Sequence, residues 1–184
     1  GKASNESVFN CIVALLQTHV RDVSVQQEGC RALGMIVDDD VASQQVAVAA
    51  GGIGAVVTAL RAHQDNVEVQ KAGCGTLLIF AAGDAACKQA VVAAGGADAV
   101  VTALRAHPGN GVVQQAGCAA LGHIAAGDVA CKQAVAAADG TGALVAALRA
   151  HQDNVEVQQY GCVALWHIAL GDLACKQAVA AAGG

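Results

Sequence analysis

The sequence predicts an all-α fold, a right-handed α-solenoid of about four three-helix repeats with a period of 44 residues. The first supporting observation is internal repetition, because Ala-Leu-Arg-Ala-His begins at Ala59, Ala103 and Ala147. The second is the recurrence of apolar residues every three to five positions within a unit, which indicates helices. The third is composition: 55% of the chain is hydrophobic but only 2% is aromatic, so any core consists of small side chains. One such unit cannot bury its apolar faces alone, so neighbouring units must stack.

Four units fill the chain without a linker, at approximately 1–51, 52–95, 96–139 and 140–183, so residues 1–184 form a single repeat array. Two further motifs recur in the same phase. Gly-Cys begins at Gly29, Gly73, Gly117 and Gly161, and Cys-Lys-Gln-Ala-Val begins at Cys87, Cys131 and Cys175. A fixed period of this length is typical of helical repeat proteins.

The third unit gives the order of elements. Its apolar spacing predicts one helix over 97–107, another over 112–126 and a short helix over 130–138. A turn containing Pro108, the only proline in the chain, separates the first two. The residues that form the apolar stripes are Val100, Val101, Leu104, Val113, Cys118, Leu121 and Ile124.

Several polar residues recur at predicted helix ends. Asp128 follows a glycine and is a suitable N-cap for the short helix, as are Asp84 and Asp172 in the neighbouring units. Arg105 and His107 fall in the last turn of their helix, where the helix dipole favours cations. Identical residues spread along a rod do not converge on one place. We therefore predict no catalytic residue and no enzymatic activity.

The two ends of the chain differ from the middle. Residues 4–19 match the helix that the third unit has over 97–107, so the short helix before it is expected to be missing. The first unit departs from the repeat at Thr18, Arg21 and the run Asp38-Asp39-Asp40, which suggests a partial cap. The last unit has no capping character, whereas terminal repeats usually need a polar outer face. We expect either an excerpt of a longer array or end-to-end association.

Two motifs resemble those of the armadillo repeat family. Ala-Leu-Gly-His-Ile-Ala at 120–125 and Ala-Leu-Trp-His-Ile-Ala at 164–169 resemble the Ala-Leu-x-Asn-Ile-Ala of armadillo third helices. Gly-Gly-Ile-Gly-Ala-Val-Val at 51–57 resembles the Gly-Gly-Ile-Pro-x-Leu-Val that opens an armadillo second helix. The resemblance covers essentially the whole chain. It implies a non-catalytic interaction scaffold whose third helices line a concave groove for a protein or peptide partner, without a cofactor.

Helical spacing identifies the side of the third helices that would face this groove, because positions i, i+3, i+4, i+7 and i+8 share a face. The predicted groove residues are Lys71, Ile79, Gln115, His123, Gln159, Trp166 and His167. Trp166 is the only tryptophan, and two interpretations stay open: it anchors a partner, or it packs on the next repeat or the exposed end. His123 and His167 either donate to a partner backbone or form a solvated polar face.

Peptide-binding armadillo proteins carry a ladder of Asn at the position of His123 and a ladder of Trp four residues earlier. Neither ladder is present in this chain. The Asn positions hold Met35, Ile79, His123 and His167, and the Trp positions hold Arg31, Gly75, Ala119 and Val163. Binding of basic peptides through Asn and Trp is therefore not expected.

Composition argues against several other partners. The net charge is −5 and no basic cluster occurs, whereas nucleic-acid binding needs many phosphate-neutralising cations. Residues 41–60 carry no charge, but Gln44 and Gly51 interrupt them, so we predict no membrane span. Metal ligands at suitable spacing are absent from the sequence, so no metal site is predicted.

The eight cysteines are expected to be buried core residues. Those in equivalent positions of stacked units lie about 8–10 Å apart, beyond the roughly 7 Å limit of a disulfide. Free thiols are typical of a reducing compartment, so we expect a cytoplasmic or nuclear protein. Two other functions stay open: a structural module that self-associates through its uncapped end, and a regulatory array within a larger multidomain protein.

Overall fold

The computed structural model describes residues 2–37, 41–170 and 173–181, apart from the side chains of residues 2–5, 174, 175 and 178. Within these ranges the chain forms twelve α-helices and no strand. They are α1 Lys2–Thr18, α2 Val23–Val37, α3 Val41–Ala49, α4 Gly52–Ala62, α5 Val67–Ala82, α6 Ala85–Ala93, α7 Gly96–Ala106, α8 Gly111–Ala125, α9 Val129–Ala137, α10 Gly140–Ala150, α11 Val155–Ala169 and α12 Leu173–Ala181. The all-α solenoid is confirmed.

The helices fall into three classes that alternate along the chain. The second helices are α1, α4, α7 and α10; the third helices are α2, α5, α8 and α11; the short first helices are α3, α6, α9 and α12. The third helices stack in one row, since α5 packs between α2 and α8, and α8 packs between α5 and α11. The predicted Asp38-Asp39-Asp40 cap and the predicted Asp172 N-cap lie outside the described residues.

The Gly-Cys motif marks the place where a third helix crosses a second helix. A β-carbon built on Gly117 would lie 2.5 Å from Cδ2 of Leu104, so a side chain would fit there only if Leu104 moved. Leu104 belongs to the Ala-Leu-Arg-Ala-His motif, which explains why the two motifs recur in phase. The equivalent pairs are Gly29 with Leu16, Gly73 with Leu60, and Gly161 with Leu148.

A glutamine closes the carboxyl end of each second helix, and those of the first three units are buried. Gln114 Nε2 donates to the carbonyl oxygens of Leu104, at 2.8 Å, and His107, at 2.9 Å. These carbonyls are among those that a helix end leaves without a partner. Gln26, Gln70 and Gln158 make the same two bonds in the other units.

The corners before the second helices adopt a left-handed backbone. Gly51 has a φ of 83° and Gly95 a φ of 76°, as the Gly-Gly corners require. Asp139 holds the equivalent corner with a φ of 58° and is the one non-glycine residue with positive φ among those described. Its carboxylate pairs with Arg105 of α7. The predicted N-caps are also present, because Asp84 and Asp128 each accept a hydrogen bond from a backbone N–H of the following helix.

The expectation that all the cysteines are buried is wrong for two of them. Cys11 and Cys162 are exposed, because no helix among the described residues covers the outer side of α1 or α11. Burial raises the pKa of Cys30, Cys74 and Cys118 to about 12, so these thiols are protonated at neutral pH. The other buried cysteines described are Cys87 and Cys131.

Across the described ranges, no single helix is long and apolar enough to cross a membrane. Helices α3 and α4 satisfy the length and composition requirement only as a pair, and they meet at an angle of 70°.

Candidate binding groove

The row of third helices carries an open cavity of about 550 Å³, which extends from α2 across α5 and α8 to Tyr160 of α11. Its floor consists of small residues, among them Gly75 and Ala119. A β-carbon built on Gly75 would meet no atom within 4 Å, so the volume above this residue is empty. The apolar residues around the floor are Met35, Ala72, Leu78, Ile79, Val112, Ala116 and Tyr160.

The charges that border the cavity are paired on their own helices. Arg31 lies 2.7 Å from Glu28, and Lys71 lies 3.5 Å from Glu68. Both pairs are solvent-exposed, so they contribute little to stability. Because each pair has no net charge, the rim of the cavity is close to neutral. The chemistry available to a ligand is thus mainly apolar contact, with amide groups at Gln27 and Gln115 for hydrogen bonding.

The seven predicted groove residues divide into two groups. Lys71, Ile79 and Gln115 line the cavity. The other four do not line it and lie toward the carboxyl-terminal half of the helix row: His123, Gln159, Trp166 and His167. The predicted residues therefore lie on three of the four third helices, α5, α8 and α11, and do not converge on one pocket.

Trp166 and His167 form an aromatic pair on α11. Their ring centroids are 4.6 Å apart, and the rings are tilted by 54°. Trp166 remains 57% exposed, which is unusual for the largest apolar side chain in the protein. An exposed indole of this kind is free to contact another molecule.

His123 and His167 lie next to cations. Partial burial lowers the pKa of His123, and the charges of Lys88 and His167 lower it further. Burial also lowers the pKa of His167, as does the charge of Lys132. Both imidazoles are therefore neutral at pH 7, and each offers one N–H donor and one acceptor nitrogen to a partner.

Two lysines of the short first helices, Lys88 and Lys132, bind the carboxyl ends of third helices. Lys88 Nζ donates to the carbonyl oxygen of Gly83 at 2.6 Å, and Lys132 Nζ donates to that of Leu170 at 2.6 Å. A cation there complements the dipole of the third helix. The described residues include no group of three or more His, Cys, Asp and Glu side chains that could hold a metal ion.

The predicted groove residues did not include Gly75, Ala119 or Tyr160, although Gly75 and Ala119 hold the positions where peptide-binding armadillo proteins carry tryptophan. Gly75 and Ala119 define the cavity by having little or no side chain. Tyr160 closes one end of it, at the repeat position where α5 and α8 carry Ala72 and Ala116. The sequence signal for this site is one repeat position that holds alanine in two adjacent units and tyrosine in the next.

Comparison with known proteins gives relatives among solved structures. An engineered protein superposes with a TM-score of 0.85 at 30% identity, and the match covers 95% of this chain and 68% of that one. A designed armadillo repeat protein in complex with the peptide (KR)4 gives a TM-score of 0.84 at 24% identity, covering 96% and 71%. Computationally designed armadillo repeat proteins for modular peptide recognition give 0.80 at 25% identity, covering 95% and 70%. The sequence matches no protein-family model and no curated protein.

Fold and groove together define a class: helical repeat proteins whose stacked third helices expose one continuous open surface. Within that class, the chain has an armadillo-like repeat fold.

Proposed function

We propose that this chain is a non-catalytic scaffold that binds an extended peptide or protein segment along the groove of its third helices. The observation that carries the proposal is the open cavity of about 550 Å³ above Gly75 and Ala119. The structural relatives add support, because one binds the peptide (KR)4 and others were designed for peptide recognition.

The cavity favours a partner segment with apolar side chains. Its floor and walls are mainly aliphatic, and the charges at its rim are already paired. A lysine or arginine side chain would lose its hydration there without gaining a free carboxylate, which is unfavourable. A leucine-sized or aromatic side chain would instead bury apolar surface, at roughly 25 cal/mol per Å².

The length of the groove sets the length of the segment. Four stacked helices about 8–10 Å apart accommodate on the order of ten extended residues at about 3.3 Å each. The amides of Gln115 and Gln159 and the imidazoles of His123 and His167 are the groups that would pair with the backbone of this segment. We also propose a cytoplasmic or nuclear location, since the buried thiols are suited to a reducing compartment.

A tryptophan placed in the cavity tests the proposal. Gly75→Trp puts an indole into space where a β-carbon meets no atom within 4 Å, so it fills the cavity without disturbing the fold. Gly54→Trp on α4 is the matched control, because a β-carbon there also meets nothing within 4 Å and the residue lies outside the cavity. Decapeptides selected from a random library against the native chain provide the ligands.

We expect the selected peptides to be rich in apolar residues. Gly75→Trp should weaken their binding at least tenfold, equivalent to about 1.4 kcal/mol, whereas Gly54→Trp should leave it unchanged. The peptide (KR)4 should bind more weakly than the selected peptides. Failure to select any peptide, or equal affinity for native and Gly75→Trp protein, would overturn the proposal.

A further inference from the structure

The outer surfaces of α2 and α11 are equivalent, by repeat position, to surfaces that pack together inside the array. Inside the array, third helices meet in a fixed register. A β-carbon built on Gly34 of α2 would lie 3.3 Å from Cδ1 of Ile79 of α5 and 3.0 Å from Oγ1 of Thr76. The Thr76 hydroxyl also donates to the carbonyl oxygen of Cys30 at 2.7 Å. Each third helix therefore has a front surface that meets the preceding unit and a rear surface that meets the following one.

The front surface of the array is apolar and exposed. Met35 is 72% exposed, Ile36 of the same helix is 36% exposed, and Leu15 of α1 is 47% exposed. One repeat later, Phe80 is the equivalent of Ile36 and Ala59 is the equivalent of Leu15, and both are fully buried. We call Cys11, Leu15, Met35 and Ile36 the front face.

The rear surface, on α11, is exposed in the same way. Trp166 is 57% exposed and Val163 is 44% exposed. Their equivalents in α8 are Gly122, which packs on Ala164, and Ala119, which is 4% exposed. We call Cys162, Val163 and Trp166 the rear face.

We propose that a second copy of this chain stacks on the rear face through its own front face, so that the array continues head to tail. The internal register identifies the contact. Gly34 opposes Ile79 between α2 and α5. The equivalent of Gly34 in the last unit is Trp166, and the equivalent of Ile79 in the first unit is Met35. The Trp166 indole thus meets the Met35 thioether of the second copy, a favourable sulfur–aromatic contact.

Hydrogen bonds from histidines at equivalent repeat positions indicate the same register. His63 Nε2 donates to the carbonyl oxygen of Val20 at 2.6 Å, and His107 Nε2 donates to that of Gln64 at 2.7 Å. His151 Nε2 donates to that of Pro108 at 2.7 Å. Each histidine thus binds the turn that follows the second helix of the preceding unit.

This set of bonds leaves one histidine donor, in the first unit, and one carbonyl acceptor, in the last unit, without an equivalent partner among the described residues. His19 is the equivalent of His63 in the first unit, and its imidazole is exposed without a hydrogen-bond partner among the described residues. Gln152 is the equivalent of Pro108 in the last unit. Head-to-tail stacking in the internal register pairs His19 of one copy with the carbonyl oxygen of Gln152 in the other. Since this chain carries both halves of the interface, a second copy supplies the matching surface in the same register.

Such a contact is heterologous, so it continues into chains of copies unless it closes into a ring. The test uses the 184-residue protein in sedimentation equilibrium and light scattering. We expect the mass to rise above 18.1 kDa with concentration. The single tryptophan reports directly on the contact, because its emission should shift to shorter wavelength as the indole becomes buried.

Two charged variants separate head-to-tail stacking from other association. Met35→Glu disables the front face and Trp166→Glu disables the rear face, so each protein alone should be monomeric. An equimolar mixture retains one intact front face and one intact rear face and should form a dimer that grows no further. Val129→Glu, at an apolar residue that is 51% exposed on α9 and outside both faces, should associate like the native chain.

Three results would overturn the proposal. The first is a native chain that stays monomeric up to about 1 mM, the concentration that matches a binding free energy near −4 kcal/mol. The second is a mixture of the two variants that stays monomeric although both are folded by circular dichroism. The third is association of Met35→Glu or Trp166→Glu alone at native strength, since a head-to-tail contact requires both faces. His19→Ala should weaken native association at least threefold.

Discussion

Gly73 packs so tightly against Leu60 that a β-carbon on the glycine would lie 2.5 Å from Cδ2 of the leucine. Gly75, two residues later on the same helix, has no atom within 4 Å of that position. One helix thus contains a glycine required by packing and a glycine required by nothing in its surroundings. Alanine substitution at Gly73 therefore measures the effect of tertiary packing, and alanine substitution at Gly75 measures the effect of helix propensity.

We expect Gly73→Ala to destabilise the protein by about 1–3 kcal/mol, since overpacking forces the Leu60 side chain or the helix to move. Gly75→Ala should stabilise it by about 0.5–1 kcal/mol, because alanine restricts the unfolded chain and favours the helix. Urea unfolding followed by circular dichroism measures both. Equal effects of the same sign would show that the close approach of Gly73 to Leu60 is not a packing constraint.

The helices could be predicted from sequence because their apolar spacing and capping residues are local. The helix predicted over 112–126 is Gly111–Ala125, and the predicted N-cap at Asp128 is present. The exposure of Cys162 could not be predicted in the same way. Its equivalents Cys74 and Cys118 are buried by the next third helix, so burial depends on a neighbour and not on the residue itself.

The candidate site was predictable only in part, for a similar reason. Helical periodicity identified the face that carries Lys71, Ile79 and Gln115, and these three line the cavity. The cavity itself depends on two small residues, Gly75 and Ala119, that lie side by side only after the helices stack. A search for bulky or polar side chains does not detect a site formed by missing ones.

Gln114 provides a second stability test, at a residue whose role was not evident from sequence. Gln114→Ala leaves the carbonyl oxygens of Leu104 and His107 without their donor. We expect a loss of about 1–3 kcal/mol, the usual cost of unsatisfied buried groups. Gln115→Ala is the matched control on the next residue and should change stability by less than about 0.5 kcal/mol. Chemical denaturation of the two variants under identical conditions gives the comparison, and a Gln114 effect as small as the control would contradict it.

Asp139 is a site where a substitution should improve the protein. Its φ of 58° lies in the left-handed region, which glycine adopts freely and other residues adopt at a cost. Asp139→Gly should raise stability by about 1 kcal/mol, and the gain should be larger at high salt, where the exposed pair with Arg105 is screened. The reciprocal change Gly51→Asp, at a corner with a φ of 83°, should destabilise by a similar amount. Thermal melts at low and high salt measure both, and a loss of stability in Asp139→Gly at high salt would contradict the argument.

The lowered pKa of His123 predicts how the stability of the protein depends on pH. Burial and the charges of Lys88 and His167 lower the pKa of His123 in the folded protein. A base whose pKa is lower in the folded state binds fewer protons there than in the unfolded chain, so stability falls as the pH drops below the unfolded value near 6.5. His123→Gln should therefore flatten the decline between about pH 6.5 and pH 5.

The aspartate caps act in a separate and more acidic window. Hydrogen bonds from the backbone N–H of Cys87 and from the Gln45 side chain lower the pKa of Asp84, and the N–H of Cys131 and the Gln89 side chain do the same for Asp128. A carboxyl whose pKa is lowered on folding stabilises the protein above its unfolded pKa near 3.9, and this stability is lost as the pH falls through the folded value. His123→Gln should leave that acidic phase unchanged. Urea midpoints measured from pH 7 to pH 3 resolve the two windows. If the urea midpoint of His123→Gln falls as steeply as that of the native chain between about pH 6.5 and pH 5, His123 is not the group responsible for the decline.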